Sequence, residues 1–86
     1  MASYKVLIKL SAVKELEGLP LKARRKLVTK IQGLSTEPRP PGSEKLSGQE
    51  RYRIRQGDYR AIYSIDDREQ SVLVVKIGHR GDVYRK

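Results

Sequence analysis

The chain of 86 residues predicts an α+β fold of order βααβββ. Two N-terminal helices pack on one face of a four-stranded, largely antiparallel sheet, leaving a basic face on the other side. Three observations predict it. The stretch up to Leu34 holds two segments of helical apolar spacing, each with start and stop signals. A short Pro/Gly-dense segment follows, and beyond residue 50 the pattern switches to the two-residue alternation of strands around a tight turn. Residues 1–86 form a single domain with one modest core, burying roughly 60–65% of the unfolded surface.

Residues Tyr4–Lys9 read as the first strand, with Tyr4, Val6 and Ile8 on one face and Lys5, Leu7 and Lys9 on the other. Ser11 is the N-cap candidate of a short helix carrying Glu15 and Glu17, and Gly18 is its stop signal. Pro20 stands where prolines open helices. From there, Leu21, Leu27, Val28, Ile31 and Leu34 form one apolar stripe, while Lys22, Lys26 and Lys30 line another face at i, i+4 spacing. That lysine row reads either as a solvated face or as an electrostatic docking surface. Glu37-Pro-Arg-Pro-Pro-Gly-Ser43 is the loop from helices to sheet, too short for an interdomain linker. Lys45–Leu46 can start a strand that Gly48 interrupts. Arg51–Gln56 and Tyr59–Ile65 are the strands of a hairpin, and Asp66–Gln70 is a polar turn. Ser71–Ile77 has the Val/Leu/Ile composition of a central strand covered on both faces.

Composition narrows the function classes. Lys and Arg number 19 against 10 acidic residues, a formal charge of +9. Residues 1–50 carry 10 basic and 5 acidic side chains and residues 51–86 carry 9 and 5, so the excess is not a basic tail. Such a balance in a small domain points to a polyanionic partner, whether nucleic acid, ribosome, acidic protein or, less readily, a membrane surface; solubility alone is the plainer explanation. Cysteine is absent, which excludes disulfides, thiolate catalysis and cysteine-ligated metals, and a single histidine argues against a zinc site. No apolar run reaches membrane-spanning length and no signal-peptide core is present, so the expected compartment is the cytoplasm. All five aromatics are Tyr, suited either to stacking on RNA or to packing in a half-exposed sheet.

The hairpin carries the most information. In Arg51-Tyr-Arg-Ile-Arg-Gln-Gly-Asp-Tyr-Arg60-Ala-Ile-Tyr63, Gly57-Asp58 is a two-residue turn of the type II′ pattern. That turn sets Arg55 opposite Arg60 and Arg53 diagonal to it, on the face away from Tyr52, Ile54, Ala61, Tyr63 and Ile65. Like charges placed opposite each other destabilise a sheet. A chain that tolerates them is expected to hold an anion there, with phosphate the first candidate. If Ile65 pairs with Ser71, Lys76 faces Arg60 and joins the cluster.

The pattern Leu46-Ser-Gly…Tyr52-Arg-Ile-Arg-x-Gly-Asp-Tyr59-Arg60-x-Ile-Tyr63…Ile77-Gly-His79-Arg80-x-Asp-Val-Tyr84 resembles the RelE branch of the RelE/ParE toxin superfamily, over essentially the whole chain. The resemblance implies a type II toxin: a ribosome-dependent endonuclease that cleaves mRNA in the ribosomal A site and is neutralised by a RelB-like antitoxin in a toxin–antitoxin hetero-oligomer. It implies a reaction without metal or other cofactor, in which the RNA 2′-hydroxyl attacks the adjacent phosphodiester and leaves a 2′,3′-cyclic phosphate. The alternative within the superfamily is a ParE-like inhibitor of DNA gyrase that cleaves nothing.

Carried over residue by residue, the resemblance makes Arg53, Arg55, Arg60, His79, Arg80 and Tyr84 the candidate catalytic set. Arg53 and Arg60 would clamp the scissile phosphate, Arg80 would stabilise the leaving 5′-oxygen, and Tyr84 would stack on a base. The departure lies at Arg53 and Arg55, where the best-known pattern has lysines and one lysine is a candidate general base. With a pKa above about 12, neither arginine is a convincing base. His79 then reads either as an acid–base group or as a structural residue at a strand end. Gly78 and Gly81 would let its segment bend toward the arginine face. Asp82 reads as a polar loop residue or as an orienting partner of Arg80 or Tyr84. The chain runs two residues past Tyr84, so an antitoxin acting by displacing a long C-terminal helix would need another mechanism here.

Overall fold

The computed structural model describes residues 3–46, 48 and 50–79. Lys5–Ile8 (β1) leads into Leu10–Glu17 (α1) and Leu21–Gly33 (α2), followed by Glu44–Lys45 (β2), Arg51–Gln56 (β3), Tyr59–Asp66 (β4) and Ser71–His79 (β5). The sheet order is β1-β5-β4-β3-β2. Only β1 and β5 pair parallel; every other neighbour is antiparallel. The predicted class holds, with five strands in place of four. The added strand is the two-residue β2, in which Glu44 pairs with Arg53 and Lys45 with Tyr52, one residue upstream of the expected Lys45–Leu46.

Both helices cover one face. Ala12 and Leu16 of α1, with Leu27, Ile31 and Leu34 from α2 and its C-cap, pack on Ile54, Ala61, Tyr63, Val72, Val74 and Ile77. The predicted inward set of the hairpin is therefore correct. Ser11 is not the N-cap. The Lys9 N–H continues the strand ladder to Val74 O while Lys9 O already accepts the Val13 N–H, so α1 begins directly at the strand end.

Two features of β5 depart from expectation. Ile65 pairs with Val72, and a bulge between the Ile62–Lys76 and Tyr63–Val74 pairs leaves Val75 extra. A bulge reverses the two-residue phase, which is how Val72, Val74 and Ile77 all reach the core. Arg60 consequently faces Gly78, and Lys76 stands opposite Ile62. Lys76 is diagonal to Arg60, with its ammonium 3.1 Å from the Glu15 carboxylate. Nor is β5 covered on both faces, since Leu73 and its register partner Leu7 are exposed.

Helix side chains close what the strands leave open. Beyond the end of β1, the Ile77 N–H donates to Glu15 Oε1 at 2.9 Å. Beyond the end of β2, Lys30 Nζ donates to Arg55 O at 2.9 Å. Elsewhere, Arg39 from the 34–43 loop forms a bidentate pair with Asp67 and donates to the Tyr52 hydroxyl. Its guanidinium lies 5.1 Å from the Tyr52 ring centre, and the Tyr4 hydroxyl donates to the same Asp67 carboxylate. The Tyr63 hydroxyl donates to Pro38 O at 2.7 Å. This loop is thus fastened to β3, β4 and the β4–β5 turn.

Candidate functional site

The arginine face is a product of the hairpin. Gly57 has φ +61°, the left-handed value that the first central residue of a II′ turn requires, while Asp58 keeps a negative φ. The tight turn fixes Gln56 against Tyr59, and therefore Arg55 against Arg60 and Arg53 against Ile62. All three arginines project from the face opposite the helices.

Their environments differ sharply. Arg55 is exposed at the turn end. Arg53 is half-buried, and its guanidinium is ion-paired with Glu44, its neighbour on β2. Arg60 is buried, at 8% exposure, and its Nε and Nη1 atoms have no hydrogen-bond partner among the described residues. Buried polar groups are normally matched, and an unmatched cation is costlier than a neutral group. Its cross-strand neighbours are another arginine and Gly78, which offers no side chain. The face thus carries guanidinium donors of the kind that pair with anions.

His79 is brought elsewhere. Because Gly78 opposes Arg60, the next residue turns to the other side, and His79 pairs with Tyr59. Its imidazole meets the Tyr59 ring edge-on at 5.5 Å between centres. The proposed bend toward the arginine face does not occur by residue 79, since the strand alternation continues that far. Arg80 and Tyr84 lie outside the described residues. Glu44 was missed by the sequence reading. Strand alternation extended one residue upstream of Lys45 would have placed its carboxylate beside Arg53. The Tyr52–Tyr63 stack (6.0 Å between centres) packs on the helix side, so those two tyrosines serve packing.

The profile described as "ParE toxin of type II toxin-antitoxin system, parDE" matches residues 6–84. The chain belongs to this toxin family. It is similar to toxin RelG of Mycobacterium tuberculosis, with 33% identity over 87 residues covering 96% of this chain and 98% of that protein. Its fold is similar to the toxin of the archaeal RelE–RelB complex from Pyrococcus horikoshii, at TM-score 0.82 and 34% identity over 92% of this chain and 97% of that one. It is also similar to the isolated E. coli RelE toxin, at TM-score 0.80 and 29% identity over 95% and 92% of the two chains. The protein is thus a type II toxin of the RelE/ParE superfamily.

Proposed function

We propose that this toxin is a ribosome-dependent endoribonuclease that cuts mRNA in the A site by attack of a 2′-hydroxyl on the adjacent phosphodiester, without metal or cofactor. The supporting observation is Arg60, a buried guanidinium whose unmatched nitrogens lie on the same face as Arg53 and Arg55. In-line attack forms the bond from the 2′-oxygen to phosphorus and breaks the bond to the 5′-oxygen. The 2′-hydroxyl gives its proton to solvent water, and the departing 5′-oxygen takes one up. Negative charge grows on the equatorial oxygens as this happens. Guanidiniums that need no reorganisation stabilise that charge, and a single donor in comparable sites contributes roughly 3–4 kcal/mol. Arg60 supplies the fixed donors, and Arg53, held by Glu44, and Arg55 complete the clamp.

A guanidinium does not accept the 2′-proton near neutral pH, so the three arginines act through charge and orientation. The His79 ring would have to leave Tyr59 and pass round the strand to reach them, and proton transfer is not routed through it. Arg80 and Tyr84 keep the roles that the resemblance implies, on the leaving oxygen and on a stacked base. The ribosome supplies the alignment of the message that so small a face does not, so naked RNA should be cut poorly.

In the Pyrococcus structure RelE stands in complex with RelB, and E. coli RelE is also seen in an intact RelBE toxin–antitoxin complex. By the same reading this toxin has a RelB-like antitoxin that covers the basic face in a hetero-oligomer, and it acts in the cytoplasm. The description of the matching family as ParE favours a second reading, inhibition of DNA gyrase without cleavage. Primer extension on message from a translating extract separates the two. New 3′ ends at A-site codons support the nuclease; intact message with trapped gyrase supports the inhibitor.

A further inference from the structure

We infer that the cavity beside Arg53 and Arg55 is a nucleotide subsite, taking one base of single-stranded RNA next to the phosphate held at Arg60. The inference rests on the nuclease reading and extends it to a place that reading does not use. The cavity measures about 550 Å³ and lies between the end of α2, the 36–44 segment and β3. That size falls within the range of small-ligand sites and accommodates a single nucleotide.

Its origin is local. Because β2 spans only two residues, the outer edge of β3 past Arg53 has no strand beside it. The loop bows away there through Pro40, Pro41 and Gly42, the last at φ +92°. Gly33, at the end of α2, adds no side chain to fill the gap. The Tyr63 bond to Pro38 O anchors the start of the proline run to β4, the Ser43 N–H bond to Pro40 O closes a turn within the loop, and the β2 pairing holds its far end. The space is therefore preformed.

The walls suit a base. Pro41 and Ile54 are apolar, Thr36 and Ser43 carry hydroxyls, and Arg53 and Arg55 also line the space, each carrying a planar guanidinium on which a base can stack. Those two arginines belong to the cavity and to the Arg60 face together. Glu37 on the wall is acceptor-only when ionised, so a base that offers an exocyclic amino group is preferred over uracil.

The test fills the cavity without touching the arginines. A Cβ at Gly33 meets no atom within 4 Å, and glycine is a poor helix residue, so Gly33→Met should fold with no loss of Tm. Binding of labelled RNA pentamers to the full-length protein at low salt is then followed by fluorescence anisotropy. The expected result is affinity weakened about tenfold or more in Gly33→Met, the equivalent of one lost stacked base. Glu37→Gln should bring uracil-containing pentamers up to the others. Equal RNA affinity of wild type and Gly33→Met overturns the subsite and leaves the nuclease reading standing. Equal RNA affinity with weakened capture of an antitoxin peptide reassigns the cavity to protein and also overturns it. Failure of the wild type to bind any pentamer also overturns the subsite, and the nuclease reading is then decided by primer extension on ribosome-bound message.

Discussion

Arg60 is buried with its Nε and Nη1 unmatched among the described residues, a position that costs stability. Replacing it with Met keeps the apolar stem and removes a buried cation whose Nε and Nη1 are unmatched. Thermal denaturation should then show stability raised by about 1 kcal/mol, or roughly 4–8 °C in Tm for a domain this size. Primer extension on ribosome-bound message should show cleavage lost by about 100- to 1000-fold. A lower Tm would mean that the guanidinium is satisfied after all. Two titrating residues make further predictions. Arg39 and then Tyr4 hold the Asp67 carboxyl below its ordinary value. Its contribution is thus present above the usual carboxylate range and is lost as pH falls through the lowered value. The Tm gap between wild type and Asp67→Asn should be widest near neutrality and close in acid. Burial pushes the Tyr63 hydroxyl up to about 12 from 10.0, so its contribution is complete below pH 10 and is lost as pH rises toward that value. Tyr63→Phe should remove this alkaline loss.

At the scale of elements, the hairpin was the legible part. Gly57-Asp58 and strict alternation determine one register, and Arg55 faces Arg60 as that register demands. Gly57→Ala puts a side chain at φ +61° and should cost about 1–2 kcal/mol, with cleavage falling as the arginine pairing loosens. The Val75 bulge was not legible, because Ser71–Ile77 is apolar at nearly every position and so carries no phase to read. Lys76 was misplaced by that bulge together with the Ile65–Val72 register, each of which shifts the pairing by one residue. The short β2 was missed by one residue, and with it the Glu44 partner of Arg53. The two edge caps were equally hidden, since they join Glu15 to Ile77 and Lys30 to Arg55 across long sequence separations. Glu15→Ala should lower stability by about 1–2 kcal/mol in a denaturant melt, more than Glu17→Ala on the exposed side of the same helix.

Over the whole molecule, the helices cover one face of the sheet and the three arginines of the hairpin stand on the other. Under the proposed function, the charge of +9 should make association with RNA and ribosome steeply salt-dependent, and an acidic antitoxin would compete for the same field. Fold class and the arginine face could be read from alternation and turn chemistry. The cavity could not, because it arises from a missing stretch of strand and a bowed proline loop rather than from any motif. The central claim is that Arg60 and its neighbours act on a phosphodiester of ribosome-bound message. Its most direct test maps mRNA ends in a translating extract given wild type or Arg60→Met, with the ends analysed chemically. The account predicts A-site cuts ending in 2′,3′-cyclic phosphate for the wild type and intact message for the folded variant. Equal cutting by both proteins, or translation arrested by the wild type with every message whole, would contradict it.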